Sequence, residues 1–290
     1  MAITGREDWR QSVVALVVAA LVAAPVLVGV GYAAAASIGE VGAGAAGASA
    51  VRLYRVLGDR QTWAGLAWSA SVAGAATMLA CIGAIAIAVS FRGTRLSDRV
   101  GRIFASAPLP LPHLVAAALA IWVLGQSGLL ARIAFALGWI AAPAGMPPLI
   151  YDRWGIGLIL TMAWKEMAFL TIVATALLST GTIFAEEAAR TLGASEWETF
   201  RRVTLPVLWR GLLPAVIAVF IFILGNYEAA ALLAPSAPLA LPLLMTERAV
   251  DPDLSRRGDA YVVALLLLAM GILAVIAHEW VRARWESRAE

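Results

Sequence analysis

Six mostly apolar stretches divide the chain, at about residues 13–36, 63–90, 108–126, 156–178, 211–234 and 260–281. A helix needs roughly 20 such residues to cross about 30 Å of hydrocarbon. Lipid offers backbone groups no hydrogen bonds, so single runs of this length fold as helices. The expected fold class is all-α, a polytopic membrane protein with six transmembrane helices. Composition agrees: 61% of the 290 residues are hydrophobic and 14% charged, against about 45–50% and about 25% in soluble domains. An ordinary soluble enzyme is excluded, as is a disordered or fibrous chain. The first stretch follows Arg6 and Arg10 but is too long for a signal-peptide core, so it is expected to stay as an anchored helix.

The arginines orient the spans. Thirteen lie at the N-terminus, in the second-to-third and fourth-to-fifth loops and in the tail, against eight on the other side. The positive-inside rule then places both termini in the cytoplasm. The net charge of +3 is thus a matter of topology and gives no nucleic-acid signal. Cys81 is the sole cysteine, so no internal disulfide forms, and His113 and His278 lack the carboxylate cluster a metal site needs. Lys165, the one lysine, sits between Trp164 and Glu166 rather than in a Gly-Lys-Ser/Thr phosphate loop. Any ATP chemistry therefore belongs to another chain, and no cofactor is expected in this one. Residues 37–62 open with Gly39, Gly42, Gly44 and Gly47 and are expected to form a flexible outer loop. In 127–155, a short apolar stretch at 129–140 precedes Pro143, Pro147 and Pro148 and is expected to be re-entrant or interfacial. Trp63, Trp154 and Trp280 stand near span ends as interfacial anchors.

The loop at about 182–206 carries the most information: two short helices are expected, broken at Gly193, where glycine tolerates a left-handed cap. Ser195 and Glu198 have the spacing of a capping box. Glu186 and Arg190 support the first helix at i and i+4, and Pro206 starts the next span, where a missing N–H costs nothing. Ala188 and Ala189 leave a face another surface can approach closely.

Glu187-Ala188-Ala189, three residues, Gly193, nine residues, then Val203-Thr204-Leu205-Pro206 resembles the EAA loop of permease subunits of bacterial ABC importers. The pattern departs only in Val203, where the family has Ile. The resemblance implies a type I importer permease: an N-terminal helix and outer loop (1–61), a core of five transmembrane helices (62–282) and a cytoplasmic tail (283–290). It implies that Glu187, Ala188, Ala189, Gly193, Leu205 and Pro206 couple the permease to a separate ATP-binding cassette ATPase dimer, which holds ATP and Mg. It further implies a second permease subunit, a heterodimer in preference to a homodimer, an extracytoplasmic binding protein and a place in the bacterial inner membrane. Gly155-Ile-Gly-Leu-Ile-Leu, Trp164-Lys-Glu, Gly225-Asn-Tyr-Glu228 and Asp251-Pro-Asp-Leu-Ser-Arg-Arg257 look most like the spermidine/putrescine-type subgroup. A sugar or anion permease is the alternative.

Two other classes compete. Gly125-Gln126-Ser127-Gly128 matches the Gly-x-Ser-Gly of rhomboid-type intramembrane proteases, which need a histidine beside the serine. With His113 at the inner end of span three, about 21 Å separate it from Ser127 at 1.5 Å per residue, and His278 is farther. A self-contained transporter would need an ion site, and intramembrane ionisable groups are functional suspects. Lys165 and Glu166 lie in span four, and Asn226, Tyr227 and Glu228 in the outer half of span five. These five are the candidate pathway residues, with Glu228 balanced by Lys165 and favouring a cationic solute. The bland alternative is that they pair between helices.

Overall fold

The computed structural model describes residues 4–42 and 49–286. Gly44, Gly47 and Arg288, which entered the loop and charge readings, lie outside the described residues. In chain order come α1 (Thr4–Ser37), α2 (Val51–Gly58), α3 (Arg60–Ser90), α4 (Leu96–Ser106), α5 (His113–Leu124) and α6 (Leu129–Ala136). After a 3₁₀ turn at Pro143–Gly145 follow α7 (Ile156–Gly181), α8 (Ile183–Thr191), α9 (Glu196–Thr199), a π turn at Phe200–Thr204 and α10 (Leu205–Leu224). The chain ends with α11 (Tyr227–Leu233), α12 (Leu241–Ala249), α13 (Leu254–Arg257) and α14 (Asp259–Glu286). No strand occurs among the described residues. Six helical stretches are long and apolar enough to cross a membrane: Ser12–Ser37, Arg60–Ser90, His113–Ala136, Ile156–Ser179, Glu196–Leu224 and Leu254–Arg284. The fold class is therefore the one expected.

The chain forms two compact units, Met1–Thr62 with Leu244–Leu268, and Trp63–Leu243 with Ala269–Glu290. In the first unit, the expectation of a flexible loop at 37–62 is corrected for its second half. Residues Val51–Gly58 are helical, and the buried Arg52 donates from Nη1 to the Ala36 carbonyl at 2.8 Å. That bond satisfies one of the carbonyls the end of α1 leaves open, and places a cation at the helix's negative end. Arg55 reaches the fully buried Asp259 at 3.3 Å and Arg248 reaches Asp59 at 2.8 Å, so ion pairs hold α2 to the segment around α12 and α14.

The second unit is built on α7 and α10. Ala88, Ala174, Leu178, Leu208 and Leu212 form a buried cluster where α3, α7 and α10 meet. Lipid tails are as apolar as leucine, so such helices associate through close contact more than through the hydrophobic effect, and small residues make that contact close. Gly211 shows this: a Cβ there would lie 2.7 Å from the Leu177 methyls.

Two spans differ from the expectation, both because the helix breaks. Residues 108–126 do not form one crossing: α5 begins only at His113, runs twelve residues and stops before Gly125. Pro108, Pro110 and Pro112 remove N–H donors and hold the residues before them extended, so no helix forms over that stretch. His113 is also not at the edge of the bundle. Its partner, Glu166, lies about 16 Å from the start of α7 by helical rise, near that helix's middle. The apolar stretch at 129–140 contributes a separate eight-residue helix, α6. The fifth span was expected at 211–234, but helical backbone runs from Glu196 through the π turn to Leu224 and breaks at Gly225–Asn226. Pro206 would crowd the carbonyl four residues back, and the wider π turn just before it relieves that clash. The Leu205 N–H accordingly bonds to the Phe200 carbonyl.

Candidate functional site

The loop at 182–206 is a short, firmly braced two-helix element. Gly193 ends the first helix with φ +86°, its N–H bonding to the Arg190 carbonyl at 2.9 Å and the Ala194 N–H to the Ala189 carbonyl at 3.1 Å. This is a Schellman ending, which satisfies the carbonyls α8 would otherwise leave open. Ser195 then caps α9: its Oγ accepts from the Glu198 N–H at 3.3 Å, and Glu198 Oε2 accepts from the Ser195 N–H at 3.0 Å.

The carboxylate that braces the loop is Glu186, which the sequence placed only in an i,i+4 pair. It is buried, accepts from Arg92 Nη1 at 2.7 Å and from the Thr204 hydroxyl at 2.6 Å, and has Arg190 at 3.6 Å. One side chain thus joins α8 to the segment after α3 and to the π turn. Charge-assisted bonds of this kind are the stronger ones, and a buried carboxylate needs them. The signal was available: Thr182, four residues earlier, is on the same helical face and is also buried. Glu187 and Ala188 are exposed, Ala189 and Leu205 half-buried and Pro206 exposed. The loop also shows solvent Phe184 and Leu192, at 87% and 88% exposure, with Trp197 beside them in sequence at 67%. Sequence motif matching passed over these three, because their role is visible only once the buried face is known.

The second group of candidates separates into two places. Lys165 and Glu166 are buried on α7 and face different partners: Lys165 Nζ donates to the Leu109 carbonyl at 3.4 Å, and Glu166 Oε1 lies 2.8 Å from His113 Nε2. The His113 ring also packs on Phe222, with centroids 4.7 Å apart. Asn226 caps α11, its Oδ1 accepting from the Ala229 N–H at 2.9 Å. Tyr227 and Glu228 are exposed on the first turn of α11, a helix of its own and not the outer half of a continuous span. The expected balance between Glu228 and Lys165 is corrected: no ion pair between them occurs among the described residues. The break at Gly225–Asn226 starts a new helix, and that redirects Glu228. Ser127 lies between α5 and α6, while His113 is held by Glu166 at the far end of α5, so the serine gains no histidine. Among the described residues no group of His, Cys, Asp and Glu could hold a metal ion.

Residues 76–287, most of the chain, match the family described as "Binding-protein-dependent transport system inner membrane component". The chain belongs to this family. Its relatives include the inner membrane ABC transporter permease protein YnjC of Escherichia coli (strain K12), 29% identical over 56% of this chain and 30% of that one. The sulfate transport system permease protein CysT of Synechococcus elongatus is 28% identical over 68% of this chain and 66% of its own. The molybdenum transport system permease protein ModB of Escherichia coli (strain K12) is 23% identical over 69% and 82%. The chain thus spans about a third of YnjC and two thirds of CysT. Among solved structures, a chain of a bacterial ABC transporter that imports the acidic polysaccharide alginate aligns over 96% of both chains, with TM-score 0.73 and 14% identity. An amino acid ABC transporter chain aligns over 80% of this chain and 97% of its own, with TM-score 0.55 and 16% identity. These two likenesses concern the fold.

Proposed function

We propose that this family member is the permease subunit of an ATP-driven importer, coupled to a separate ATPase dimer through the loop at 182–206. The observation that carries this reading is the loop's construction. Glu186 is buried with three partners, while Phe184, Leu192 and Trp197 project outward. Exposed apolar side chains on a rigid loop suit docking in a groove of a partner, and rigidity lets the partner's movement reach α10 through an uninterrupted helical path. Glu187, Ala188, Ala189, Gly193, Leu205 and Pro206 belong to this coupling element. The permease would pair with a second, different permease, receive solute from an extracytoplasmic binding protein, and sit in the bacterial inner membrane with both termini cytoplasmic.

The translocation path would be lined from the middle of α7 and the start of α11, by Lys165, Glu166, Asn226, Tyr227 and Glu228. Ionisable groups at this depth belong against protein or water rather than lipid. The subgroup likeness in Trp164-Lys-Glu and Gly225-Asn-Tyr-Glu228 favours a polyamine-like solute, whereas relatives named for sulfate and molybdenum favour an anion.

Gly193→Pro tests the coupling. Proline fixes φ near about −65° and has no N–H, so it is incompatible with φ +86° and with the bond to Arg190. The variant should reach the membrane while ATP-dependent uptake and transport-linked ATP hydrolysis by the reconstituted complex fall sharply. Uptake at the wild-type level in a normally expressed Gly193→Pro complex would refute the reading.

A further inference from the structure

We propose that the Lys165 ammonium binds a small oxyanion at mid-membrane, where α5 begins; this rests on the permease reading above and names the class of solute its pathway takes. Lys165 is 93% buried near the middle of α7. Its three N–H donors meet one acceptor among the described hydrogen bonds, the Leu109 carbonyl, at a long 3.4 Å. A buried cation so thinly partnered is expensive to keep charged unless an anion completes its shell.

The one carboxylate close in sequence does not supply that shell. Glu166 faces the other way, onto His113 at 2.8 Å, and no ion pair of Lys165 occurs among the described residues. The neighbouring backbone adds to the positive field. Pro112 gives α5 no side-chain cap, so the first N–H groups of a twelve-residue helix are left open beside the Leu109–His113 segment. A helix that starts part-way through the membrane presents this end to negative charge, and non-helical backbone is tolerated at such depth only against protein or water. Lys165 and the start of α5 therefore point to one kind of ligand. Tetrahedral oxyanions, with several acceptor oxygens, suit an ammonium and a row of N–H groups together.

Glu228, the residue that favoured a cationic solute, has a local explanation. It occupies the exposed first turn of α11, next to the Asn226 cap, where a negative charge complements the helix's own N-terminus. No cationic solute is needed to account for it.

The test uses the complete complex of permeases, ATPase and binding protein in proteoliposomes. Uptake of radiolabelled sulfate, molybdate and phosphate is compared with that of putrescine. The wild type should accumulate one of the oxyanions and not putrescine. Lys165→Gln should lower that uptake about tenfold or more, the scale of one lost charged hydrogen bond, with Lys165→Arg retaining part of it. Since a Lys165 variant could fail to assemble, melting of the solubilised wild-type complex gives a second readout. The oxyanion should raise its melting temperature over chloride at equal ionic strength. Equal rises in the wild type and Lys165→Gln would mean binding elsewhere, to lipid sites or the binding protein, and would overturn the proposal. So would no rise with any of the three anions. ATP-driven putrescine uptake unaffected by Lys165→Gln would overturn it while leaving the permease reading intact. Failure of any ATPase to co-purify, with no ATP-driven uptake, would remove both.

Discussion

Glu186 and Glu187 are adjacent and chemically identical, yet the structure gives them different work. Glu187 stands in the family motif and is exposed, whereas Glu186 is buried against Arg92, Thr204 and Arg190. Removing the charge at Glu186 takes away charge-assisted bonds in a water-poor place and leaves Arg92 without its carboxylate. Glu186→Gln should therefore cost about 1–3 kcal/mol, read as a lower melting temperature and faster limited proteolysis between residues 182 and 206. Glu187→Gln should leave both nearly unchanged and act on coupling instead. Equal destabilisation by the two would mean that the buried network does not brace the loop. The motif and its Gly193 break were legible in the sequence, because a left-handed residue and a capping box are local properties. Glu186 was not, since Arg92 lies 94 residues away along the chain and no local pattern announces it.

At the scale of elements, the sequence made the existence of the crossings legible and misjudged their continuity. Hydropathy measures how apolar a window is, and it does not register that Pro108, Pro110 and Pro112 deny a helix its donors until His113. It is equally blind to Gly225–Asn226, where apolar residues continue on both sides of a break. Asn226 shows how such a break is sustained, because its side chain replaces the missing turn by accepting from the Ala229 N–H. Asn226→Ala should then cost about 1 kcal/mol, seen as a lower melting temperature of the solubilised complex. Asn226→Asp, which keeps an acceptor in place, should retain most of that stability. Equal losses in the two variants would assign Asn226 a role in the pathway that an oxygen at the cap cannot restore. The same logic applies to packing: Gly211→Val would push a branched side chain into the Leu177 methyls 2.7 Å away, and should separate α7 from α10 and lower the melting temperature further.

For the whole molecule, the decisive property is which side of the membrane each loop faces. Arginine counting predicts that the loop at 182–206 and the segment around α13 lie on opposite sides, because an odd number of crossings separates them. The described helices are consistent in number: one stretch long and apolar enough to span, Glu196–Leu224, lies between residue 195 and residue 255, and another begins at Leu254. The intervening α11 and α12, at seven and nine residues, are each far shorter than the roughly 20 residues a crossing needs. They leave the parity unchanged unless they join into a further span. Ser195 and Ser255 are both exposed and polar, so cysteine replaces them with little disturbance. On a Cys81→Ala background, Ser195→Cys should resist a membrane-impermeant thiol reagent in intact cells and react once the membrane is opened. Ser255→Cys should react in intact cells. Labelling of both from outside would require an additional crossing between them, made by α11 and α12 together, and would place the coupling loop where no cytoplasmic ATPase could reach it.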